Sequence, residues 1–288
     1  MTGRLTGKNG LVTDTVGSHP MLQDKDSEEN MDTGLRGKTA VLSGAARTSG
    51  LGHAFSIGLA REGVNIVIAD KGDASDAVAN IQAIGTRAVA IKCDVSQADD
   101  VAQLDRLVTD DFGGCDILIH CASPLTGKSF DDLEFDEWRE MLAVNLDGLY
   151  LLTRAFLPGM KRRRWGRIIP VSSATYQAGL QKRAHYVTAK AGVLGFTRSL
   201  AREVGDFGVT VNALSPGLIR TDGAVQGSTE NKTFGDNDPF RIIREQQCIR
   251  QTLVPENLVG PLVFLASEQS AFVTGQVLLA DAGWQHVG

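Results

Sequence analysis

"SGAARTSGLGHAF", residues 43–55, sets glycines at 44, 50 and 52 between an apolar run (Ala40, Val41, Leu42) and a stretch with Ala54, Ile57 and Leu59 at helical spacing. Glycine takes positive φ freely and carries no Cβ, so a turn of this kind lets backbone N–H groups approach whatever it faces. A helix starting there presents unpaired N–H groups and the positive end of its dipole, which together favour a pyrophosphate. The spacing departs from G-x-G-x-x-G. Glycine spacing alone also suits a plain flexible turn, so the surrounding chain has to decide.

Outward from that turn the chain alternates. Apolar, β-rich runs occur at KTAVLSG (38–44), VNIVIAD (64–70), AVAIKCDV (88–95), DILIHCA (116–122), GRIIPVSS (166–173), GVTVNALSP (208–216) and GQVLLAD (275–281). Between them lie helical patterns such as Val101, Leu104 and Leu107/Val108. Strands apolar on both faces, alternating with helices, predict a parallel sheet covered on both sides. The expected fold is therefore α/β: a single doubly wound, Rossmann-type, seven-stranded parallel sheet with helices on both faces. Ligands of such sheets lie beyond the carboxyl ends of the strands, so residues just after each strand matter most.

Composition fits that reading. The 288 residues are 42% hydrophobic and 22% charged, ordinary for a globular chain. A net charge of −5 argues against a nucleic-acid partner, and no apolar run is long enough to span a membrane. The basic "KRRRW" (161–165) follows Pro158–Gly159 and precedes a strand, so it reads as a solvated helix end. Cys93, Cys115, Cys121 and Cys248 form no C-x-x-C pair, which fits reduced thiols and a cytoplasmic location. The histidines show no metal-ligand spacing, and no metal is expected. Residues 1–34, with "QDKDSEEN" at 23–30, lack an apolar period and read as a flexible arm; the folded domain is expected over 35–288.

The context of the glycine turn favours the ligand-binding reading. It is the first strand-to-helix turn, and the second strand ends in Asp70, eighteen residues after Gly52. A carboxylate there accepts both hydrogen bonds of an adenosine ribose diol and repels a 2′-phosphate. Arg47 and Lys71 cut the other way, since either could pair with a 2′-phosphate. NAD is favoured over NADP.

At this point a resemblance becomes plain. From Leu35 to the C-terminus, about 250 residues, the chain resembles the short-chain dehydrogenase/reductase family. The family's T-G-x-x-x-G-x-G loop corresponds to "SGAARTSGLG", with Ser43 for Thr and two extra residues before Gly50. A similarly lengthened loop occurs in the family's enoyl reductase branch. The resemblance implies that the loop residues Gly44, Ala46, Ser49, Gly50, Leu51 and Gly52 face the cofactor, and that Asp94 and Val95 meet its adenine. "HCAS" (120–123) stands where the family has N-N-A-G. Ala122 is kept, while His120, Cys121 and Ser123 depart from the pattern; Cys121, Ala122 and Ser123 take the strand-four contacts to the cofactor.

Tyr186 and Lys190 stand four residues apart in a long helical pattern, which stacks them on one face. A phenol titrates near 10, and a neighbouring ammonium with an oxidised nicotinamide ring above is expected to lower that value. Tyr186 then serves as general acid in carbonyl reduction or general base in alcohol oxidation. Taken alone, Tyr-x-x-x-Lys equally describes an aromatic packed on a lysine stem. Ser173 lies thirteen residues before Tyr186, the spacing of the family's catalytic serine, with Ser172 as the fallback. Asn145 sits in a helical pattern although asparagine is a poor helix former. In the family that asparagine opens the helix and holds a water that relays protons to the lysine. Lys190 is implied to hold the nicotinamide ribose as well.

"NALSPGLIRTD" (212–222) ends a strand at Pro216–Gly217. The resemblance implies that backbone at Ile219 binds the nicotinamide carboxamide, supported by Thr221. Residues 222–254 read as a substrate lid, and Phe240, Ile242, Ile243, Ile249 and Leu253 hint at an apolar chamber. The implied activity is NAD-dependent interconversion of a secondary alcohol and a ketone by a homotetramer or homodimer. Two alternatives stand beside it. An enoyl-thioester reductase is disfavoured because that branch has six residues between its tyrosine and lysine, where this chain has three. A dinucleotide-sensing protein without turnover is suggested by the altered "HCAS" and "ADAG" segments.

Overall fold

Alternation along each strand divides the apolar residues between two cores, one on each face of a parallel sheet. Ala40, Leu42, Ile66, Ile68, Ile117 and Ile119 fill one core; Val41, Val67, Ala69 and Leu118 fill the other. The computed structural model describes residues 32–231, 234–235 and 237–286. The arm expected at the N-terminus lies outside the described residues up to residue 31, and a compact unit begins at Thr33.

The strands are β1 (Thr39–Ser43), β2 (Asn65–Asp70), β3 (Ala88–Lys92), β4 (Ile117–His120), β5 (Gly166–Pro170), β6 (Val209–Val211), β7 (Ala213–Pro216) and β8 (Val277–Ala280). The helices are α1 (Leu51–Arg61), α2 (Ser75–Gln82), α3 (Ala98–Phe112), α4 (Phe135–Leu142), α5 (Gly148–Arg163), α6 (Thr175–Ala178), α7 (Ala184–Val204), α8 (Asp222–Asn231), α9 (Pro239–Gln246) and α10 (Val259–Ala266). Phe55 and Leu59 of α1, Ala77 and Ile81 of α2 and Leu262 and Leu265 of α10 cover one face. Val101, Leu104 and Val108 of α3, Phe156 of α5 and Val204 of α7 cover the other.

The main sheet has order β3-β2-β1-β4-β5-β6 with every pair parallel. The direction of winding reverses between β1 and β4, which opens a crevice at their carboxyl ends. The expected seven-stranded sheet is instead a six-stranded sheet plus a two-stranded parallel pair, β7 with β8. The single run "GVTVNALSP" is split at Asn212. Its side chain donates to Val273 O (2.7 Å) and accepts from Gln276 N (3.1 Å), handing the strand from β5 to β8. A bridge between Val171 and Leu214 keeps the pair alongside β5.

"KRRRW" closes α5. Arg163 Nε donates to Asp116 (3.2 Å), Arg164 Nη2 donates to Asp206 O (2.7 Å), and Lys161 lies over the Phe207 ring.

Candidate active site

The β1–α1 turn can be built only with glycine at two of its positions. Gly44 has φ +72°, and a Cβ there would sit 2.6 Å from Ala122 Cα, on the neighbouring strand's exit. A Cβ on Gly52 would sit 2.5 Å from Gly44 O. Gly50 precedes α1 with no side-chain cap and no acidic residue in the first turn, so the helix end keeps its N–H donors and its positive field. Ala46 is half-buried, and Ser49 is exposed at the tip.

Asp70, at the carboxyl end of β2, accepts from Ala46 N (3.1 Å) and Gly72 N (2.9 Å). The carboxylate thus pins the turn to β2 and keeps lone pairs for a diol. Lys71 turns to Asp94 (3.5 Å), and Arg47 Nη1 lies beside Gly223 of α8. Neither of the two cations that could oppose NAD pairs with Asp70 among the described residues. Burial pushes the Asp94 carboxyl up, but hydrogen bonds from Ser96 and the Lys71 charge outweigh it and hold it below its ordinary value. Val95 is buried against Gly148.

The departures in "HCAS" acquire a structural role. Ser43 Oγ accepts from Cys121 N (3.2 Å) and Ala122 N (3.3 Å) and lies 2.8 Å from His120 Nδ1. A hydroxyl has one proton, so with both other contacts accepting, Ser43 donates to His120 Nδ1 and the histidine proton is on Nε2. Burial, reinforced by the Lys190 charge, pulls the His120 pKa down to about 3, so the ring stays neutral. Burial also pushes the Cys121 thiol up to about 11. Ser123 donates to Pro124 O.

Four predicted residues converge beyond β4 and β5. Asn145 lies in a π-helical turn (Ala143–Asp147) between α4 and α5. Its Nδ2 donates to Met141 O (2.9 Å), while its buried Oδ1 has no partner among the described residues. Ser173 follows β5 and accepts from Thr175 Oγ1 (3.0 Å). Tyr186 and Lys190 share a face of α7, with Lys190 Nζ 5.6 Å from the centre of the Tyr186 ring. Lys190 is 2% exposed and donates to Val171 O (2.9 Å), and burial pulls its pKa down to about 8. Ser172 does not join them: its hydroxyl donates to Lys190 O (2.9 Å) and braces α7.

The expected lowering of the Tyr186 pKa belongs to an ammonium and an oxidised nicotinamide ring together; in the chain by itself the balance runs the other way. Burial raises the pKa, and this outweighs the opposing influence of the Ser173 hydroxyl and the Arg183 charge. The phenol is thus held protonated near neutrality in the chain by itself.

Arg183 was not among the sequence candidates. It precedes α7, with Nη1 donating to Thr126 O (3.1 Å) and Leu125 O (3.4 Å) and Cζ 5.7 Å from the Tyr186 ring centre. Its place three residues before Tyr186, within one helical turn, is the signal that could have found it.

Pro216 and Gly217 end β7, and Pro216 O accepts from Ala174 N (2.8 Å), tying this turn to the Ser173 segment. Ile219 is buried and bridges Leu253. Thr221 Oγ1 accepts from Ala224 N (3.1 Å) at the start of α8. The apolar residues of 222–254 do not act together: Ile243 packs with Ala174 and Trp284, whereas Ile249 is exposed.

A family model described as "Enoyl-(Acyl carrier protein) reductase" (adh_short_C2) matches residues 44–285. A D-beta-hydroxybutyrate dehydrogenase of Cupriavidus necator is 35% identical over 257 residues, covering 87% of this chain and 98% of its own. A 3-oxoacyl-[acyl-carrier-protein] reductase FabG of Vibrio cholerae is 35% identical over 250 residues, covering 86% and 98%. Among solved structures, a protein assigned as an NAD(P)-dependent gluconate 5-dehydrogenase from Beutenbergia cavernae, with NADP bound at low occupancy, superimposes with TM-score 0.79 at 32% identity, covering 87% and 97%. A protein assigned as a short-chain alcohol dehydrogenase from Sinorhizobium meliloti 1021 gives 0.80 at 28%, covering 86% and 96%. With this architecture and these relatives, the chain belongs to the short-chain dehydrogenase/reductase family of oxidoreductases.

Proposed function

We propose that the protein is an NAD-dependent oxidoreductase that interconverts a secondary alcohol and a ketone, with Tyr186 as general acid and base. The observation that carries this reading is the half-buried Tyr186 beside Lys190 and Ser173 at the carboxyl end of the sheet.

The residues present fit a dinucleotide. The α1 end is uncapped, Asp70 faces the turn, and Asn145 Oδ1 and the buried Lys190 ammonium keep hydrogen-bonding capacity unused by the protein. Gly44, Ala46, Ser49, Gly50, Leu51 and Gly52 would hold the pyrophosphate, Asp70 the adenosine ribose, and Asp94 and Val95 the adenine. Cys121, Ala122, Ser123, Lys190, Pro216, Gly217, Ile219 and Thr221 would border the nicotinamide half. Bound there, the dinucleotide supplies the hydride acceptor for alcohol oxidation or the hydride donor for ketone reduction.

The chain's own residues handle the proton. Ser173 and Tyr186 hydrogen-bond the substrate oxygen and stabilise the charge that develops on it. A phenol kept protonated by burial suits proton donation to a carbonyl, and Lys190 steadies the phenolate that results. Asn145, freed by the π turn, holds the relay that returns a proton through Lys190. The segment 222–254 serves as the lid, anchored at the Ile219–Leu253 bridge. A homo-oligomer built on α4, α5 and α7 belongs to this reading; Phe135 and Tyr150 are exposed on α4 and α5.

The relatives' names support carbonyl and alcohol chemistry of varied substrates: a hydroxybutyrate, a 3-oxoacyl carrier and, for an L-rhamnose 1-dehydrogenase (NAD(P)(+)) of Sphingomonas, a sugar. The description of the matching family model favours a second reading, enoyl reduction, against which the Tyr186–Lys190 spacing stands. Turnover of NADH and NADPH against ketone, alcohol and 2-enoyl thioester panels decides between them. Tyr186→Phe is expected to lower kcat about a thousandfold on ketones while NADH still binds. An unchanged rate removes Tyr186 from the chemistry.

A further inference from the structure

Two cations flank Tyr186, and neither has a carboxylate partner among the described residues. Lys190 Nζ is met by a carbonyl oxygen, Val171 O. Arg183 Nη1 is met by two, Leu125 O and Thr126 O. Ion pairs of the described residues lie elsewhere, and Glu137, whose charge is felt by the neighbouring His185, is held by Lys128 at 2.7 Å. The field of Arg183 is accordingly felt by its neighbours: it opposes, without overcoming, the rise that burial gives the Tyr186 phenol, and it adds to burial in lowering His185.

A guanidinium is a rigid fork with five N–H donors. The two carbonyl bonds occupy only Nη1, and they fix the plane of the group. Nε and Nη2 make no hydrogen bond with the described residues, so one edge of the fork is left over on a guanidinium whose Cζ lies 5.7 Å from the centre of the Tyr186 ring. A cation that is partly desolvated and lacks a counter-charge is costly unless an anion joins it, and the Nε/Nη2 edge matches the two oxygens of a carboxylate. A phosphate dianion would call for more donors than this edge offers, and the adjacent His185 is kept neutral by burial. With Cζ 5.7 Å from the Tyr186 ring centre, one short molecule can reach both the guanidinium and the phenol.

Resting on the reading of Tyr186 and Ser173 as the reaction centre, we propose that Arg183 clamps the carboxylate of a short hydroxy acid or oxo acid. The acid's alcohol or ketone oxygen then meets Tyr186 and Ser173.

The test pairs short 2-, 3- and 4-oxo acids with their methyl esters, assayed with NADH on the full chain, on Arg183→Gln and on Arg183→Lys. The expected result is a strong preference for an acid over its ester. Arg183→Gln should cost about a hundredfold in kcat/KM on the acid, chiefly through KM, with a far smaller loss on the ester. Arg183→Lys keeps the charge and a bond to the loop but not the fork, and should fall between. Equal losses on acid and ester mean that Arg183 only braces the loop at 125–126, and overturn the proposal, as does preference for a phosphorylated ketone. Calorimetric titration of the same pairs into Tyr186→Phe with NADH separates this proposal from the reading of the reaction. Acid binding that vanishes in Tyr186→Phe/Arg183→Gln supports the clamp even if no pair is turned over. Equal binding of acid and ester overturns it even if ketones are reduced.

Discussion

Lys190 is buried at a cost. Its ammonium has one hydrogen bond, to Val171 O, and burial brings its pKa down to about 8 from the ordinary 10.5. The folded chain therefore releases this proton before the unfolded chain does. Below pH 8 both states hold it and the burial penalty is constant, about 3 kcal/mol from the size of the shift. Between about 8 and 10.5 the unfolded state binds more protons, so this group's contribution to stability improves as pH rises. Urea unfolding of the native chain and Lys190→Met should accordingly show the variant gaining most, relative to wild type, at pH 7. That gain should hold up to about pH 8 and then shrink up to pH 10; a difference independent of pH would mean that folding leaves the Lys190 pKa at its ordinary value. Tyr186 and Lys190 were legible because helical periodicity alone places them on one face. Arg183 was legible only in its spacing from Tyr186, because a basic residue just ahead of a helix looks like surface until its bonds to Leu125 O and Thr126 O form. The sign of the Tyr186 shift was equally hidden, since burial is decided by residues distant in sequence.

Elements tell a similar story with a different balance. The β1–α1 turn was readable in kind from three glycines, yet which of them are indispensable depends on strands that come together only in the fold. Gly52 is tightly enclosed: an added Cβ meets Gly44 O at 2.5 Å and Ala45 Cα at 2.9 Å, both backbone-bound positions with no side chain to swing aside. Gly52→Ala should lift α1 off the turn, destabilise the chain by about 1–3 kcal/mol and weaken NADH binding, read by urea unfolding and by quenching of protein fluorescence. Unaltered dinucleotide affinity would place the phosphate site elsewhere. For Asn145 the sequence signal was a residue ill suited to a helix interior, and the answer is a π turn in which its amide serves Met141 O. The register change was legible only through the family resemblance, which implies that this asparagine opens the helix. The lid was the least legible segment: its apolar residues scatter between core and solvent, so composition said little about the chamber.

At the scale of the whole molecule, the point where sequence periodicity and architecture part company is the seam between the six-stranded sheet and the β7–β8 pair. Seven apolar runs implied seven strands side by side, with the polar Asn212 inside one of them. In the fold it is 1% exposed and carries the seam: backbone N to Ile168 O (3.0 Å), side chain to Val273 O and Gln276 N. The consequence reaches the site because β7 and the segment after β5 are stitched together. Ser172 N donates to Leu214 O and Ala174 N to Pro216 O, both at 2.8 Å, one on each side of Ser173. Asn212→Leu keeps the branching of the side chain but leaves the part-buried Val273 carbonyl and Gln276 N–H without their partner, each worth up to about 1–3 kcal/mol. Urea unfolding should therefore show a loss of about 2–5 kcal/mol with an unchanged m-value, since the same surface is exposed on unfolding. Because β7 sets the Ser173 backbone, kcat should fall as well, while NADH affinity, governed on its pyrophosphate side by β1 and α1, should hold. A variant as stable and as active as the native chain would show that parallel backbone pairing alone aligns β7 with β5.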